Sequence, residues 1–211
     1  MLGLPNRGEA TRLLLVRHEE TDESMRGRCY GRLDVPLSAA GRQRAEELGA
    51  VLSELPLTAV YSSPLSRSLG TAAAIAAPQG LDVLAEERLR EIDFGELEGL
   101  TYDEVRAERP ELYRAWMETP TRVRFPGGEA FTDLQRRVLA AAAEIRSRHD
   151  GEAVAIVAHG GVVRVVLADA LGLADEALFR LGQSHGGVSV VDWLEEAPVV
   201  RLVNAVLYSR A

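Results

Sequence analysis

The chain of 211 residues contains no lysine; all 24 of its basic residues are arginine. That excludes a Walker-type lysine, a Schiff-base lysine and a lysine anchor for pyridoxal phosphate. Any anion must be read by guanidinium groups, which offer planar pairs of donors. Cysteine is nearly absent. Cys29 is alone, so there can be no internal disulfide and no multi-cysteine zinc or iron–sulfur site. Long apolar runs are also missing, and no stretch reaches membrane-spanning length. The first ten residues lack the basic start and apolar centre of a signal peptide. A cytoplasmic protein is expected. Positive charge is in deficit, with a net charge of −8. Nucleic acid and anionic membranes are therefore excluded as broad partners, and a phosphate site has to be built locally.

What is present is an ordinary globular composition, 46% hydrophobic and 27% charged, sized for one domain with an elaborated cap. Residues 1–11 read as a loose tail. Leu13, Leu14, Leu15 and Val16 then run straight into Arg17 and His18, a buried strand that ends in chemistry. Open α/β sheets place their ligands at that carboxyl end. Residues 19–37 read as a loop. Ser38 caps a helix predicted through about Leu55, with Ala45, Leu48 and Leu52 on one face.

A second strand is predicted over 58–62, and Pro64 is suited to open the next helix. Arg67 falls in its first turn, where it either strengthens an anion site or is merely solvated. A short strand near 82–84 precedes an acidic segment. Thr101 with Glu104 forms a capping box, and Pro110 divides the helix that follows. Six of the eleven aromatics lie between Phe94 and Phe131. They either line a pocket under a cap or form a satellite core. The longest helix is predicted over 130–149. Residues 153–158 form another apolar strand ending in a histidine, His159, followed by Gly160 and a helix to about Leu171. Residues 188–193 and 199–204 read as an antiparallel pair at one sheet edge. The fold class is α/β: a three-layer sandwich with a mostly parallel sheet, an antiparallel edge near the C-terminus and a small helical cap inserted at about 99–128 in a single domain, 1–211.

Two strands thus each deliver a histidine, and two arginines stand nearby. Parallel neighbouring strands would gather Arg17, His18, Arg67 and His159 into one cationic crevice suited to a tetrahedral dianion. At this point the chain resembles the histidine phosphatase superfamily, in the branch that contains the phosphoglycerate mutases. The family's Leu-Val-Arg-His-Gly-Glu-Thr is similar to residues 15–21 except at Glu19. Further matches are Asp34 to Gly41, Ser62 to Arg67, Leu89 to Gly99, Pro126 to Glu129, and His159-Gly160.

The resemblance implies phosphomonoester hydrolysis on a small phosphorylated metabolite. His18 would form a phosphohistidine. Arg17, Arg67 and His159, with Ser24 and Gly160, would hold the phosphoryl group, and Glu91 would protonate the leaving group. It implies no metal and no other cofactor. The partners expected are the substrate and a second copy of the chain, as a homodimer. Two departures bear on activity. Glu19 stands where the family has glycine, so it either turns outward or weakens phosphate binding. Ser24 replaces an asparagine and has shorter reach. Mutase-type phosphoryl transfer is the alternative, for which Arg122 and Arg124 could form a second phosphate site. A phosphate-ligand binding protein of low turnover is the other. Within the phosphatases, residues 28–32 and 89–95 most resemble the α-ribazole phosphatases. His149, His185 and Cys29 read as a helix-end residue, a loop residue and a packing residue.

Overall fold

The computed structural model describes residues 10–208, so the tail expected over 1–11 lies outside the described residues for 1–9. Ala10 and Thr11 are buried, and the first strand starts at Thr11, two residues before its apolar run. The six strands are β1 (Thr11–Arg17), β2 (Ala59–Ser62), β3 (Val83–Ala85), β4 (Ala153–Ala158), β5 (Val188–Trp193) and β6 (Pro198–Ala205). They form one sheet in the order β3-β2-β4-β1-β5-β6. β1 to β4 are parallel, and β5 and β6 close the sheet antiparallel. This is the α/β sandwich expected.

The helices are α1 (Ala39–Leu52), α2 (Ser66–Ala76), α3 (Tyr102–Glu108), α4 (Pro110–Glu118), α5 (Phe131–Arg148) and α6 (Gly160–Leu171). Both faces of the central strands are covered, which is why these strands are apolar without alternation. Successive side chains still go to opposite layers. Leu13 and Leu15 join the core under α5 and α6, with Val138, Ile145, Val163 and Leu167. Leu14 and Val16 join the core under α1 and α2, with Leu48 and Ile75.

Where β1 meets β5, Arg12 lies opposite Asp192. Both are buried, and Arg12 Nε and Nη2 donate to the two Asp192 oxygens at 2.6 and 2.8 Å. Arg201 Nε also donates to Asp192, at 2.9 Å. An acid buried in a sheet survives there only with such donors. Starting the strand at Leu13, after a tail over 1–11, leaves this pair out.

Helix starts follow their caps. Ser38 accepts from Gly41 N, as its sequence position suggests. α2 begins at Ser66 rather than at Pro64. The reason is a cap from far along the chain: Ser66 N donates to Asp34 Oδ1 at 2.7 Å. The capping box at Thr101 and Glu104 is formed, and Pro110 opens α4 directly after α3.

Candidate active site

Three parallel strands end side by side. Arg17 of β1 lies opposite Ala158 of β4, and Ser62 of β2 lies opposite Val157. The ladder runs one residue further on each side: His18 N donates to Ala158 O at 2.9 Å and Ser63 N to Val157 O at 3.0 Å. His18, His159 and the start of α2 are therefore held by sheet backbone. Arg17, His18, Arg67, Glu91, His159 and Gly160 all line one cavity of about 320 Å³.

The His18 ring is nearly inaccessible, at 2% exposure. Its Nδ1 is 2.7 Å from the carbonyl oxygen of Glu19. A carbonyl only accepts, so Nδ1 carries the proton. Nε2 is left with a free lone pair. Burial, then the Arg17 and Arg67 guanidiniums, push this imidazole well below its ordinary pKa of 6.5. His18 is thus neutral, as a nucleophile must be. The His159 ring lies 5.1 Å from it, edge to face. Burial, then Arg67, His18 and Arg17, push His159 well down too.

Buried polar groups in native proteins normally have partners. Here Arg17 Nε, Arg67 Nε and His159 Nδ1 are buried without one. Each group is also held by at least one hydrogen bond. Arg17 Nη1 donates to Gln183 O at 2.7 Å. Arg67, fully buried, donates to Leu33 O at 2.7 Å and Gly31 O at 2.8 Å. His159 Nε2 pairs with Ser63 Oγ at 2.8 Å. The cavity wall therefore carries two held guanidiniums and a buried imidazole, each with a polar atom that has no protein partner among the described residues. The solvated alternative for Arg67 does not hold.

Glu91 reaches the same cavity. Its oxygens accept from Ile92 N at 3.0 Å and from Gly161 N, in the first turn of α6, at 2.9 Å. Residue 161 has to be glycine for this, because a Cβ there would collide with the Glu91 carboxylate.

Ser24 is not brought to the site. It is exposed, outside the cavity wall, and its hydroxyl donates to Asp22 Oδ1 at 2.6 Å. Arg122 and Arg124 are also outside the wall, where they pair with Glu176 and Asp133. Cys29 lines the cavity but is buried, and burial pushes its thiol up to about 12, so it stays protonated. Of the cap aromatics, Phe94, Tyr102, Trp116, Phe125 and Phe131 line the wall, and Tyr113 does not. Among the described residues, no group of three or more His, Cys, Asp or Glu is placed to hold a metal ion.

Glu19 is turned away from this cavity. It is fully buried and lines a second one of about 590 Å³, which shares Arg17 with the first. Its carboxylate accepts from Glu20 N at 3.1 Å, from Arg44 Nε at 3.3 Å and from the Tyr208 hydroxyl. Gly186, at φ +64°, makes room for it, since a Cβ there would overlap the Glu19 carboxylate. Two residues invisible as site residues in the sequence also appear. His185 packs its ring 5.5 Å from that of His18, so it is more than a loop residue. Arg164 lines the cavity. The clue to Arg164 was there: it is the one charged residue in the otherwise apolar first two turns of α6.

Because His18 and His159 resist protonation only when folded, stability depends on pH. Above pH 6.5 both histidines are neutral in the folded and unfolded chain, and their titration contributes nothing. Below it the unfolded chain binds protons that the folded one does not, so stability falls with pH until the lower folded pKa values are reached. The urea midpoint is expected to drop between pH 7 and pH 5.5, and to drop less in His159→Asn. An equal drop in both proteins would contradict this assignment.

Arg17, His18 and His159 at the carboxyl ends of parallel strands, with Arg67 from the first turn of α2, thus share one cationic cavity. The chain belongs to the histidine phosphatase superfamily (branch 1), whose family model matches residues 13–206. It is 36% identical over 193 residues to phosphoserine phosphatase 1 of Hydrogenobacter thermophilus, which is 92% of each chain. Among solved structures, YhfR of Bacillus stearothermophilus superposes with a TM-score of 0.86 at 34% identity, over 92% of this chain and 96% of that one. A putative alpha-ribazole-5'-P phosphatase from Escherichia coli superposes with a TM-score of 0.86 at 27% identity, over 96% and 100%.

Proposed function

We propose that the chain hydrolyses the phosphomonoester of a small metabolite through a phosphohistidine on His18. The observation that carries this reading is the Nδ1 bond to Glu19 O, which leaves Nε2 as the unprotonated atom in a cavity with Arg17 and Arg67. In the first step the Nε2 lone pair attacks phosphorus in line. The bond from phosphorus to the ester oxygen breaks, and Glu91, entering protonated, gives its proton to the departing alkoxide. Arg17, Arg67 and His159 stabilise the charge spread over the three phosphoryl oxygens. In the second step Glu91, now a carboxylate, takes a proton from water. That water attacks phosphorus, the N–P bond breaks, and phosphate leaves with His18 restored. Gly160, at the amino end of α6, is proposed to add a backbone donor to the phosphoryl group.

Hydrolysis is favoured over mutase-type transfer because Arg122 and Arg124 are turned away and already paired. Low turnover loses its motive, since the Glu19 carboxylate is clamped in the second cavity rather than in the first. A chromogenic phosphate-release assay run beside an assay of isomerisation of monophosphoglycerates tests the choice. Phosphate release is expected to exceed isomerisation at every concentration; near-exclusive isomerisation would overturn the reading. A cytoplasmic reaction is supported by the single cysteine and by the absence, among the described residues, of a helix long and apolar enough to cross a membrane. The homodimer rests on the family resemblance, and sedimentation equilibrium tests it.

A further inference from the structure

The chain has more acids than arginines, and most arginines outside the site find a carboxylate, as Arg88, Arg124 and Arg137 do. In the cavity wall Arg28 is paired with Glu104 at 3.5 Å. Arg17, Arg67 and Arg164 share that wall, and among the described residues none of the three has a carboxylate within 4.0 Å. Two of them belong to the phosphoryl end. The third is in excess of what one dianion requires.

Arg164 is fixed from two sides. Its Nε donates to Leu181 O at 2.8 Å, and its guanidinium stands 5.3 Å from the Phe179 ring centroid. The Nη1 and Nη2 end has no protein acceptor among the described residues. Arg164 is also close to the phosphoryl end. At the point where a Cβ of Gly160 would sit, Arg164 Nη1 is 3.2 Å away and Arg17 Nε 3.7 Å. It stands beside the Glu91 attachment point: Glu91 accepts from Gly161 N at 2.9 Å, and Arg164 Nη1 abuts the neighbouring Gly160. Glu91 is the group that meets the ester oxygen, so Arg164 flanks the leaving group. The same wall also carries the apolar Phe94, Trp116, Phe125 and Leu134.

We propose that Arg164 is a specificity-determining residue that binds a carboxylate on the leaving group, close to the ester oxygen. The substrates are then phosphomonoesters of small hydroxy acids. One guanidinium end suits one monoanion; a second phosphate would need several cations, and among the described residues Arg164 is the one unpaired guanidinium left in the wall once Arg17 and Arg67 hold the first. The inference rests on the phosphatase reading above.

The test uses a matched pair, 3-phosphoglycerate and glycerol 3-phosphate, with the wild-type chain, Arg164→Met and Arg164→Lys. Retained binding of orthovanadate shows that each variant keeps its fold and phosphoryl end. The wild type is expected to favour the acid in kcat/KM by on the order of 10–100-fold, the value of one charge-assisted contact. Arg164→Met is expected to bring the ratio near one, mainly through KM for the acid, and Arg164→Lys to restore part of it. No preference in the wild type, or an equal loss on both substrates in Arg164→Met, would overturn the proposal. The phosphatase reading would stand in either case as long as glycerol 3-phosphate is hydrolysed. If neither ester is turned over and no phosphoenzyme forms, both readings fall.

Discussion

His18→Ala is expected to lower kcat by at least about 10⁴-fold and to abolish any covalent phosphoenzyme, while the protein still folds. The effect is large because the attack is assigned to the His18 Nε2 lone pair, which the Nδ1 bond to Glu19 O leaves free. His159 has one nitrogen engaged by Ser63. The Cys29 thiol, raised to about 12, is almost wholly protonated at neutral pH. Removing the His18 ring also removes an uncharged group from between cations, so inorganic phosphate should still bind. Circular dichroism and phosphate binding check that the loss is chemical. Turnover within tenfold of the wild type would exclude His18 as nucleophile.

Glu91→Gln is the second large effect, and it should depend on the leaving group. An alkoxide needs a proton to depart, and losing the general acid costs about 10²–10⁴-fold. A 4-nitrophenolate departs without one, so its first step should be nearly unaffected. Hydrolysis of the phosphoenzyme still needs a base, so a burst of nitrophenolate should precede a slow steady state. Gln can keep the bond from Gly161 N, which limits structural damage. Equal losses in the first step for both kinds of ester would make Glu91 a positioning residue instead.

Much of this site was legible before any coordinates. β1 and β4 are buried on both faces, so their apolar runs stand out, and each ends abruptly at its histidine. That β4 rather than β2 lies beside β1 is visible only in the sheet order, and the parallel register does the rest. Most of the misreadings depend on contacts from remote segments. α2 starts late because Asp34 caps it. Glu19 stays off the wall of the His18 cavity because Arg44, Tyr208 and the missing side chain of Gly186 accommodate it elsewhere, and those residues are 25 to 189 positions away. Ser24 is diverted by its own neighbour Asp22, a local competition that its replacement of asparagine did not reveal. Arg67 could be placed at a helix start from the sequence, but the carbonyls of Tyr30, Gly31 and Leu33 that hold it could not.

The most direct measurement is isolation of the intermediate. Glu91→Gln, mixed with 4-nitrophenyl phosphate and quenched in base within milliseconds, should carry close to one phosphoryl group per chain. A phosphohistidine is labile to acid and stable to base, and peptide mass spectrometry should place the group on His18. A base-labile phosphoryl group, a group on another residue, or a fast variant that never carries one would contradict a reaction through His18.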